Sequence, residues 1–224
     1  MTYRMSITRL RDALPPIALL ALLAGCAADS GPPRTESRSI GNFHAIELRG
    51  AAQMDVEVGK GPGLSITGSE QVLQATGTEV RDGVLVVQVR ERRWFQRGPA
   101  ARISVQAPTL DGVNINGAGD FNLHDVTGEK LDISVQGAGS IEANGTIGRL
   151  TAHIDGAGSA DLSRLAATDA DVAVNGAGSL DLQVSGTLNA EVNGVGSITY
   201  AGNPQRVVPT LHGVGSISPA GGKK

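Results

Sequence analysis

The chain has 224 residues, of which 40% are hydrophobic and 3% aromatic. It carries a formal net charge of −3 and contains one cysteine. This length is sufficient for a domain with a substantial core. The mildly acidic balance lacks the basic footprint of a nucleic-acid-binding protein, and a single cysteine excludes a disulfide framework.

The N-terminal segment up to Cys26 has the layout of a bacterial lipoprotein signal. Arg4, Arg9 and Arg11 precede an apolar run over residues 17–24, which is too short to span a bilayer. The run leads into the tetrapeptide LAGC, which resembles a lipobox, so we expect cleavage after residue 25 and lipidation of Cys26. Acyl chains there would anchor the protein to a membrane. An ordinary signal with an incidental cysteine is the alternative.

The residues after the signal predict where the mature chain starts and how it is attached. By analogy with lipoprotein sorting, Ala27 indicates the outer membrane. Residues 26–39 are rich in Gly, Pro, Ser and charge, which is typical of a flexible tether. Loss of residues 1–25 removes three Arg and one Asp, and therefore leaves 16 basic and 21 acidic residues, a charge of −5.

Residues 40–110 are strand-like but lack a regular period. Alternation over residues 54–58 and a β-prone run over residues 84–89 indicate strands, and Asp82-Gly83 is a turn signal before the second. We interpret this part as irregular first coils and a cap of the repeats that follow, since terminal repeats are usually atypical.

One segment of this part is unusual in composition. Trp94, the only tryptophan, lies among arginines that include Arg92, Arg93 and Arg97. Trp and Arg dominate interface hot spots, so these residues are a candidate contact loop for a membrane surface, an anionic glycan or a protein partner. The alternative is a solvated loop whose aromatic side chains fold back onto the domain.

A glycine signature recurs six times over residues 111–218. Its copies run from NGAGDFNL at Asn116 to HGVGSISP at His212, and the steps between the leading glycines are nearly constant. We interpret these glycines as tight corners between strands: Gly117, Gly137, Gly156, Gly176, Gly194 and Gly213. Apolar and polar residues alternate on both sides of each corner, which is typical of half-buried strands.

A nearly fixed period of this kind predicts one structural unit stacked on copies of itself. The repeat is too short for a helical crossover between parallel strands. We therefore predict an all-β fold, a single-stranded right-handed β-solenoid with coils of about 19 residues that covers residues 40–218. An antiparallel sheet of hairpins is the competing arrangement, and it would not require the same corner at the same phase six times. Residues 219–224 are expected to form a disordered tail.

The signal, the Phe43-x-x-Ile46 opening, the Asp82-Gly83-x-Leu85 strand and the repeated Gly-x-Gly-Ser together resemble a bacterial family. This is the family described as putative auto-transporter adhesin, head GIN domain, and the resemblance covers roughly residues 40–218. It implies an all-β, β-helix-like fold in exported, often lipid-anchored proteins of unknown function.

Three carboxylates recur five residues after a corner glycine: Glu142, Asp161 and Asp181. The predicted register places them on one face about 4.8 Å apart, where like charges raise one another's pKa unless something compensates. The column is therefore a candidate site for Ca²⁺ or a glycan. Paired carboxylates at such spacing also hydrolyse glycosides, but no Arg, Lys or His recurs beside the column to supply a second catalytic role. The plainer alternative is that these residues keep the face soluble.

These features favour a lipid-anchored cell-envelope protein that acts as a non-catalytic binding, adhesion or surface structural module. A polysaccharide-cleaving enzyme is one alternative, and a protein that self-assembles through a solenoid end is another, because the last copy of the signature shows no obvious cap. The expected partners are a membrane through the lipid and a glycan or cell-surface protein. Whether the protein faces the periplasm or the cell exterior stays open.

Overall fold

The computed structural model describes residues 32–90 and 101–221, which form nine strands and one short helix. The strands are β1 (Arg34–Arg38), β2 (Ala45–Val58), β3 (Gly63–Gly68), β4 (Thr76–Arg81), β5 (Val84–Val89), β6 (Ala101–Ala107), β7 (Gly112–Val184), β8 (Thr187–Ala201) and β9 (Arg206–Pro219), and helix α1 is Glu70–Ala75. In this part of the chain no helix is long and apolar enough to cross a membrane. The prediction of an all-β fold is confirmed.

All the strands belong to one open sheet with the order β1-β3-β6-β2-β7-β8-β9, in which β5 also pairs with β2 and β4 pairs with β5. Antiparallel pairs are confined to β1–β3, β3–β6 and β4–β5. The long strands pair in parallel: Gly176 of β7 lies opposite Gly194 of β8, which lies opposite Gly213 of β9. The pairing offsets equal the steps between the repeated glycines, so hairpins are excluded for these repeats.

Strand β7 is 73 residues of continuous extended chain, yet it stacks on itself. A Cβ atom added at Gly137 would lie 2.1 Å from the carbonyl oxygen of Gly117, and one added at Gly156 would lie 2.3 Å from that of Gly137. The six repeated glycines have φ between 128° and 148°, a conformation that L side chains rarely adopt. Glycine is therefore required at these corners both for backbone conformation and for close approach. We call the extended chain on both sides of one corner glycine a rung.

A further rung is formed by β2, in a part of the chain that was predicted to consist of irregular coils. Gly50 lies opposite Gly117, has a φ of 111°, and is flanked by buried residues at the same four positions as the later corners. Those residues are Ile46, Leu48, Met54 and Val56. The first regular rung thus precedes the six repeats, and five other elements lie between them in the sequence.

Strands β5 and β6 lie along the two halves of β2. β5 pairs with residues before Gly50, and β6 pairs with residues after it, both in parallel. Residues 91–100 join these two strands and lie outside the described residues. The contact loop predicted at Arg92, Arg93, Trp94 and Arg97 therefore stays a prediction. The described residues Val89 and Ala101, on either side of this segment, lie beside the Gly50 corner.

The core is a set of columns of inward side chains, one from each rung. In the rungs from Gly50 to Gly194, the position two residues before the corner is occupied by Leu48, Ile115, Val135, Ile154, Val174 and Val192, all at most 3% exposed. The position four residues after it holds Met54, Phe121, Ile141, Ala160, Leu180 and Ile198, all at most 2% exposed. Each rung buries its neighbours' apolar face, which no single repeat could do alone.

The N-terminal end of the stack is covered by β1, β3, α1 and β4, which we call the N-terminal cap. β1 lies within residues 26–39, so the prediction of a flexible tether is wrong for residues 34–38. The physical reason is that the outer edge of β3 offers backbone partners, and Arg38 fixes the added strand. The Arg38 side chain donates to the carbonyl oxygens of Leu73 (3.0 Å) and Thr76 (2.6 Å), which joins β1 to the end of α1.

Turn chemistry at the cap follows the sequence closely. Asp82 and Gly83 have φ of 51° and 77° and connect β4 to β5, which confirms the turn predicted there. Helix α1 was not predicted; it is a single short element whose first turn is capped by Ser69 Oγ, which accepts from the Val72 amide at 3.4 Å.

Candidate binding face

The outward side chains that follow the corners form one continuous polar surface. In the rung of Gly117, Phe121 and Leu123 are buried, while Asp120, Asn122 and His124 between and beside them point outward. Because side chains alternate along a strand, the outward positions on every rung are three, five and seven residues after the corner glycine. We call the surface made by these three columns the polar face.

The polar face extends beyond the six repeats into the first rung and its neighbour. In β2 the three positions are Gln53, Asp55 and Glu57, and in β6 the residues opposite them are Arg102, Ser104 and Gln106. These residues were not predicted from the sequence, because Gly50 is far from Gly117 along the chain and no GAG signature marks the first corner. The signal that could have found them is the identical spacing of apolar residues around Gly50.

Hydrogen bonds connect the first column across β6 and three rungs. Arg102 Nε donates to Gln53 Oε1 at 3.2 Å, and Gln53 Nε2 donates to Asp120 Oδ2 at 3.4 Å. Ser140 Oγ donates to the other oxygen of Asp120 at 2.5 Å. Exposed side chains that are tied together in this way are held in fixed positions, so they present a preorganised set of polar groups.

A second polar ladder precedes the corners. Asn175 Nδ2 donates to Asp155 Oδ1 at 2.7 Å, and Asn193 Nδ2 donates to Asn175 Oδ1 at 2.9 Å. Asn175 thus uses its amide nitrogen for the rung before it and its amide oxygen for the rung after it. This ladder stabilises the stack, and its side-chain amides and carboxylates use much of their hydrogen-bonding capacity on one another.

The carboxylates Glu142, Asp161 and Asp181 lie five residues after three successive stacked corners. Glu142 forms an ion pair with Arg164, whose Nη2 lies 2.9 Å from Glu142 Oε2. Arg164 belongs to the rung of Asp161, so its guanidinium group links that rung to the rung of Glu142. Among residues 32–90 and 101–221, no three His, Cys, Asp or Glu side chains are grouped to hold a metal ion.

Local hydrogen bonds hold Asp161 in its charged form. Ser163 donates to Asp161 Oδ1 from its hydroxyl at 2.5 Å and from its backbone amide at 3.1 Å. These bonds, with a smaller contribution from the charge of Arg164, lower the pKa of Asp161 below its usual value. This carboxylate is therefore ionised at neutral pH and cannot serve there as a proton donor.

The polar face contains a cleft of about 370 Å³ at its N-terminal end. Its polar lining consists of Asp55, Glu57, Ser104, Gln106, His124 and Asp125, which come from three neighbouring strands. Asp125 has a φ of 57°, and its backbone amide donates to Asn144 Oδ1 at 3.0 Å. The strand therefore turns sharply at the edge of the cleft and the turn is fixed by the next rung.

Several side chains in and around the cleft are fixed by partners. Asn122 Nδ2 donates to Asp55 Oδ1 at 2.8 Å, and the Nδ1 atom of His124 lies 3.2 Å from Asn144 Nδ2. A hydrogen bond from Lys60, whose Nζ is 2.5 Å from Glu57 Oε1, lowers the pKa of Glu57. The cleft thus combines the fixed carboxylates of Asp55 and Glu57 and the fixed imidazole of His124 with the hydroxyl of Ser104 and the amide of Gln106, which suits a polyhydroxylated ligand.

The predicted lipidation site, Cys26, lies outside the described residues, as does the Arg/Trp segment. The six corner glycines and the three carboxylates are brought into the stacked rungs of one sheet. The cleft residues, in contrast, were not singled out from the sequence.

Comparison with known families matches residues 42–204 to the family described as "Putative auto-transporter adhesin, head GIN domain". Comparison with curated protein sequences gives no match. The match spans most of the cap, β2 and most of the repeats, and it therefore includes the cleft and the carboxylate column.

Solved structures include similar chains. A protein described as a "putative adhesin" from Bacteroides fragilis is 22% identical, with a TM-score of 0.71, and the alignment covers 85% of this chain and 98% of that one. This likeness shows a shared fold. A "putative lipid binding protein" from Parabacteroides distasonis is 20% identical with a TM-score of 0.47, over 85% of this chain and 97% of that one.

Proposed function

The chain belongs to the head GIN domain family, and from this premise we propose that it is a non-catalytic binding protein of the bacterial cell envelope. Its polar face contacts glycans or glycan-bearing surfaces, and the cleft at the N-terminal end of that face is the main contact. The observation that carries the proposal is the cleft itself, where fixed carboxylate and imidazole groups lie beside a hydroxyl and an amide.

The scaffold of this module is a right-handed β-solenoid. Parallel pairing at the repeat period and the contact between successive corner glycines support this arrangement. So does the length of β7, because 73 residues of straight strand would extend about 240 Å. A solenoid places every outward column on a rigid surface, which lowers the entropy cost of binding an extended polymer.

Non-catalytic action is supported by the electrostatics of the carboxylate column. General acid catalysis of glycoside hydrolysis needs a carboxylic acid with a raised pKa beside an ionised partner. The pKa of Asp161 is lowered instead, chiefly by hydrogen bonds from Ser163, and Glu142 is paired with Arg164. The column is better suited to accepting hydrogen bonds from hydroxyl groups.

Binding can be tested with immobilised envelope polysaccharides of defined composition. We expect the wild type to be retained, and we expect His124→Ala and Gln106→Ala in the cleft to weaken retention at least tenfold, since each removes polar contacts to the ligand. A matched control is Asp171→Ala, an exposed residue on the strand before the Gly176 corner, which should bind like the wild type. Equal binding by all variants would refute the assignment of the cleft.

The same experiment separates binding from catalysis. Release of new reducing ends, abolished by Asp161→Asn, would overturn the non-catalytic proposal in favour of a polysaccharide-cleaving enzyme. Retention that disappears with a chelator and returns with Ca²⁺ would instead assign a cation to the polar face. The Arg/Trp segment has its own variant, Trp94→Ala, whose loss of binding would add that segment to the contact surface.

We propose that Cys26 carries the lipid anchor, with residues 27–33 as the link to the cap. The apolar run followed by LAGC supports this, and Ala27 favours the outer membrane. Cys26→Ser should abolish fatty-acid labelling and release the protein from the membrane fraction. Ala27→Asp should shift the labelled protein to the inner membrane, and membrane retention of unlabelled Cys26→Ser would contradict the proposal.

A further inference from the structure

The exposed apolar surface of the described residues is concentrated at the C-terminal end of the stack. The large hydrophobic side chains exposed there are Val195 (62%), Val208 (38%), Leu211 (48%) and Val214 (75%). The last three belong to β9, the final strand of the sheet, and Val195 is opposite Val214 on the strand before it. Exposed apolar patches of this kind mark interaction surfaces.

Leu211 shows why this end is incomplete. It occupies the core column two residues before the corner, opposite Val192, which is fully buried. Val207 and Ile217 on the same strand are also only partly buried and pack against the core from one side. The core therefore continues to the end of β9 and is exposed there, while the outer edge of β9 has backbone groups without a neighbouring strand in the described sheet.

The opposite end of the molecule does not offer a complementary surface. The edge strands there are β1, which is short and carries Arg34, Glu36 and Arg38, and β4, which has six residues and carries Glu79 and Arg81. β9 has 14 residues, no acidic side chain, and Arg206 and His212 as its basic or titratable groups. Short charged edge strands resist further pairing, so stacking of copies head to tail would bury charge against apolar residues.

Residues 91–100 are too short to reach this end. They leave and rejoin the sheet beside β2, seven strand spacings from β9, a distance of about 34 Å. A segment of this length that must extend outward and return can reach about 17 Å.

We infer that the β9 end is the contact through which two copies of this chain associate about a two-fold axis. A two-fold axis at the Gly213 corner pairs the two β9 strands in opposite directions and brings the exposed apolar side chains of both copies together. An isologous contact of this type closes as a dimer and forms no filament.

The prolines of β9 limit how the two strands pair. Pro209 and Pro219 have no amide hydrogen, so strand pairing at those positions keeps one hydrogen bond where two are usual. Apolar contact by Leu211, Val207 and Ile217 therefore supplies most of the association. This favours a closed pair with a defined register over open-ended edge-to-edge aggregation.

The test is the mass of the purified full chain by light scattering over a dilution series. We expect a dimer that dissociates on dilution, and we expect Leu211→Lys to weaken it at least tenfold. The matched control, Thr35→Lys, places the same charge on the exposed edge strand at the other end and should leave the dimer unchanged. Circular dichroism of each variant checks that the fold is retained.

A cross-linking experiment reports the symmetry. In a Cys26→Ser background, Val214→Cys lies one residue from the expected axis, so a short bismaleimide should join it to its own copy. Thr35→Cys should not self-link. A wild-type monomer at high concentration would overturn the proposal, and so would an oligomer that links position 35 to position 214, because that product requires head-to-tail contact.

Discussion

The two ends of the stack differ in how they terminate the same core. At the N-terminal end, Leu48 is fully buried because β5 and β6 lie along β2 and the cap follows. At the C-terminal end, Leu211 occupies the same column and is 48% exposed. The two leucines occupy equivalent positions, and their exposure differs because a further strand covers Leu48 and none of the described strands covers Leu211.

This difference shows how burial arises in a stacked-repeat protein. Each rung is stabilised by the neighbours on its two sides, so the terminal rungs need a different element to complete them. The N-terminal cap provides that element with the charged edge strand β1, strands β3 and β4, and helix α1. The β9 rung has none among the described residues, and a second copy would supply it.

The largest expected effect comes from the corners. Gly176→Ala should destabilise the fold by more than about 3 kcal/mol, because the residue has a φ of 128° and its Cβ would lie 2.3 Å from the Gly156 carbonyl oxygen. Gly213→Ala should cost less, since β9 can detach alone. Gly61→Ala, where a Cβ meets nothing within 4 Å, is the control. Urea denaturation measures all three, and equal losses at 176 and 213 would contradict the comparison.

The two leucines of the core column give the most direct comparison of the ends. Leu48→Ala should cost about 2–5 kcal/mol, since it leaves a cavity in the packed core. Leu211→Ala should cost below about 1 kcal/mol in the monomer, because half of its surface is already in water. The free energy of unfolding of both variants is measured by urea denaturation at the same low protein concentration. If Leu211→Ala lost as much free energy of unfolding as Leu48→Ala in dilute solution, Leu211 would have to be more deeply buried than the 48% exposure seen here.

The N-terminal cap depends on Arg38. Arg38→Gln should destabilise the cap by about 1–3 kcal/mol, because it removes charge-assisted bonds to the carbonyl oxygens of Leu73 and Thr76. Hydrogen exchange should become faster in β1 and α1 while the rungs from β7 onward keep their protection. Arg49→Gln, on an exposed side chain paired with Glu47, is the matched control and should change little. Uniformly faster exchange would mean that the cap and the repeats unfold as one unit.

The smallest effect is a titration in the middle of the stack. Ser163 lowers the pKa of Asp161, so the stabilisation is present above the unfolded pKa, about 3.9, and is lost as the pH falls through the lower folded value. Ser163→Ala should raise the pKa of Asp161 towards its usual value and reduce the acid dependence of stability below about pH 4. Carbon-detected NMR titration measures this shift. Ser197→Ala, two rungs away, should leave the Asp161 titration unchanged.

The repeats and corners were predictable from sequence because their causes are local and periodic. Only glycine accepts the corner conformation at Gly117 and its equivalents, and the alternation around it records which side chains face inward. The step from one signature to the next then predicted the register of β7 on β8 and of β8 on β9. The carboxylate column followed from the same register.

The first rung, the cleft and the state of the two ends were decided by tertiary structure. Gly50 and Gly117 are far apart along the chain, so their pairing depends on how the intervening strands and helix are accommodated, and no local signal records this. Asp55, Glu57, Ser104 and Gln106 meet His124 only after β2, β6 and β7 are aligned. Burial of Leu48 and exposure of Leu211 likewise depend on which strand comes next. Local sequence determined the rung, because corner conformation and alternation are properties of a few residues, whereas long-range strand order determined where the stack begins, what it leaves open and where it can bind.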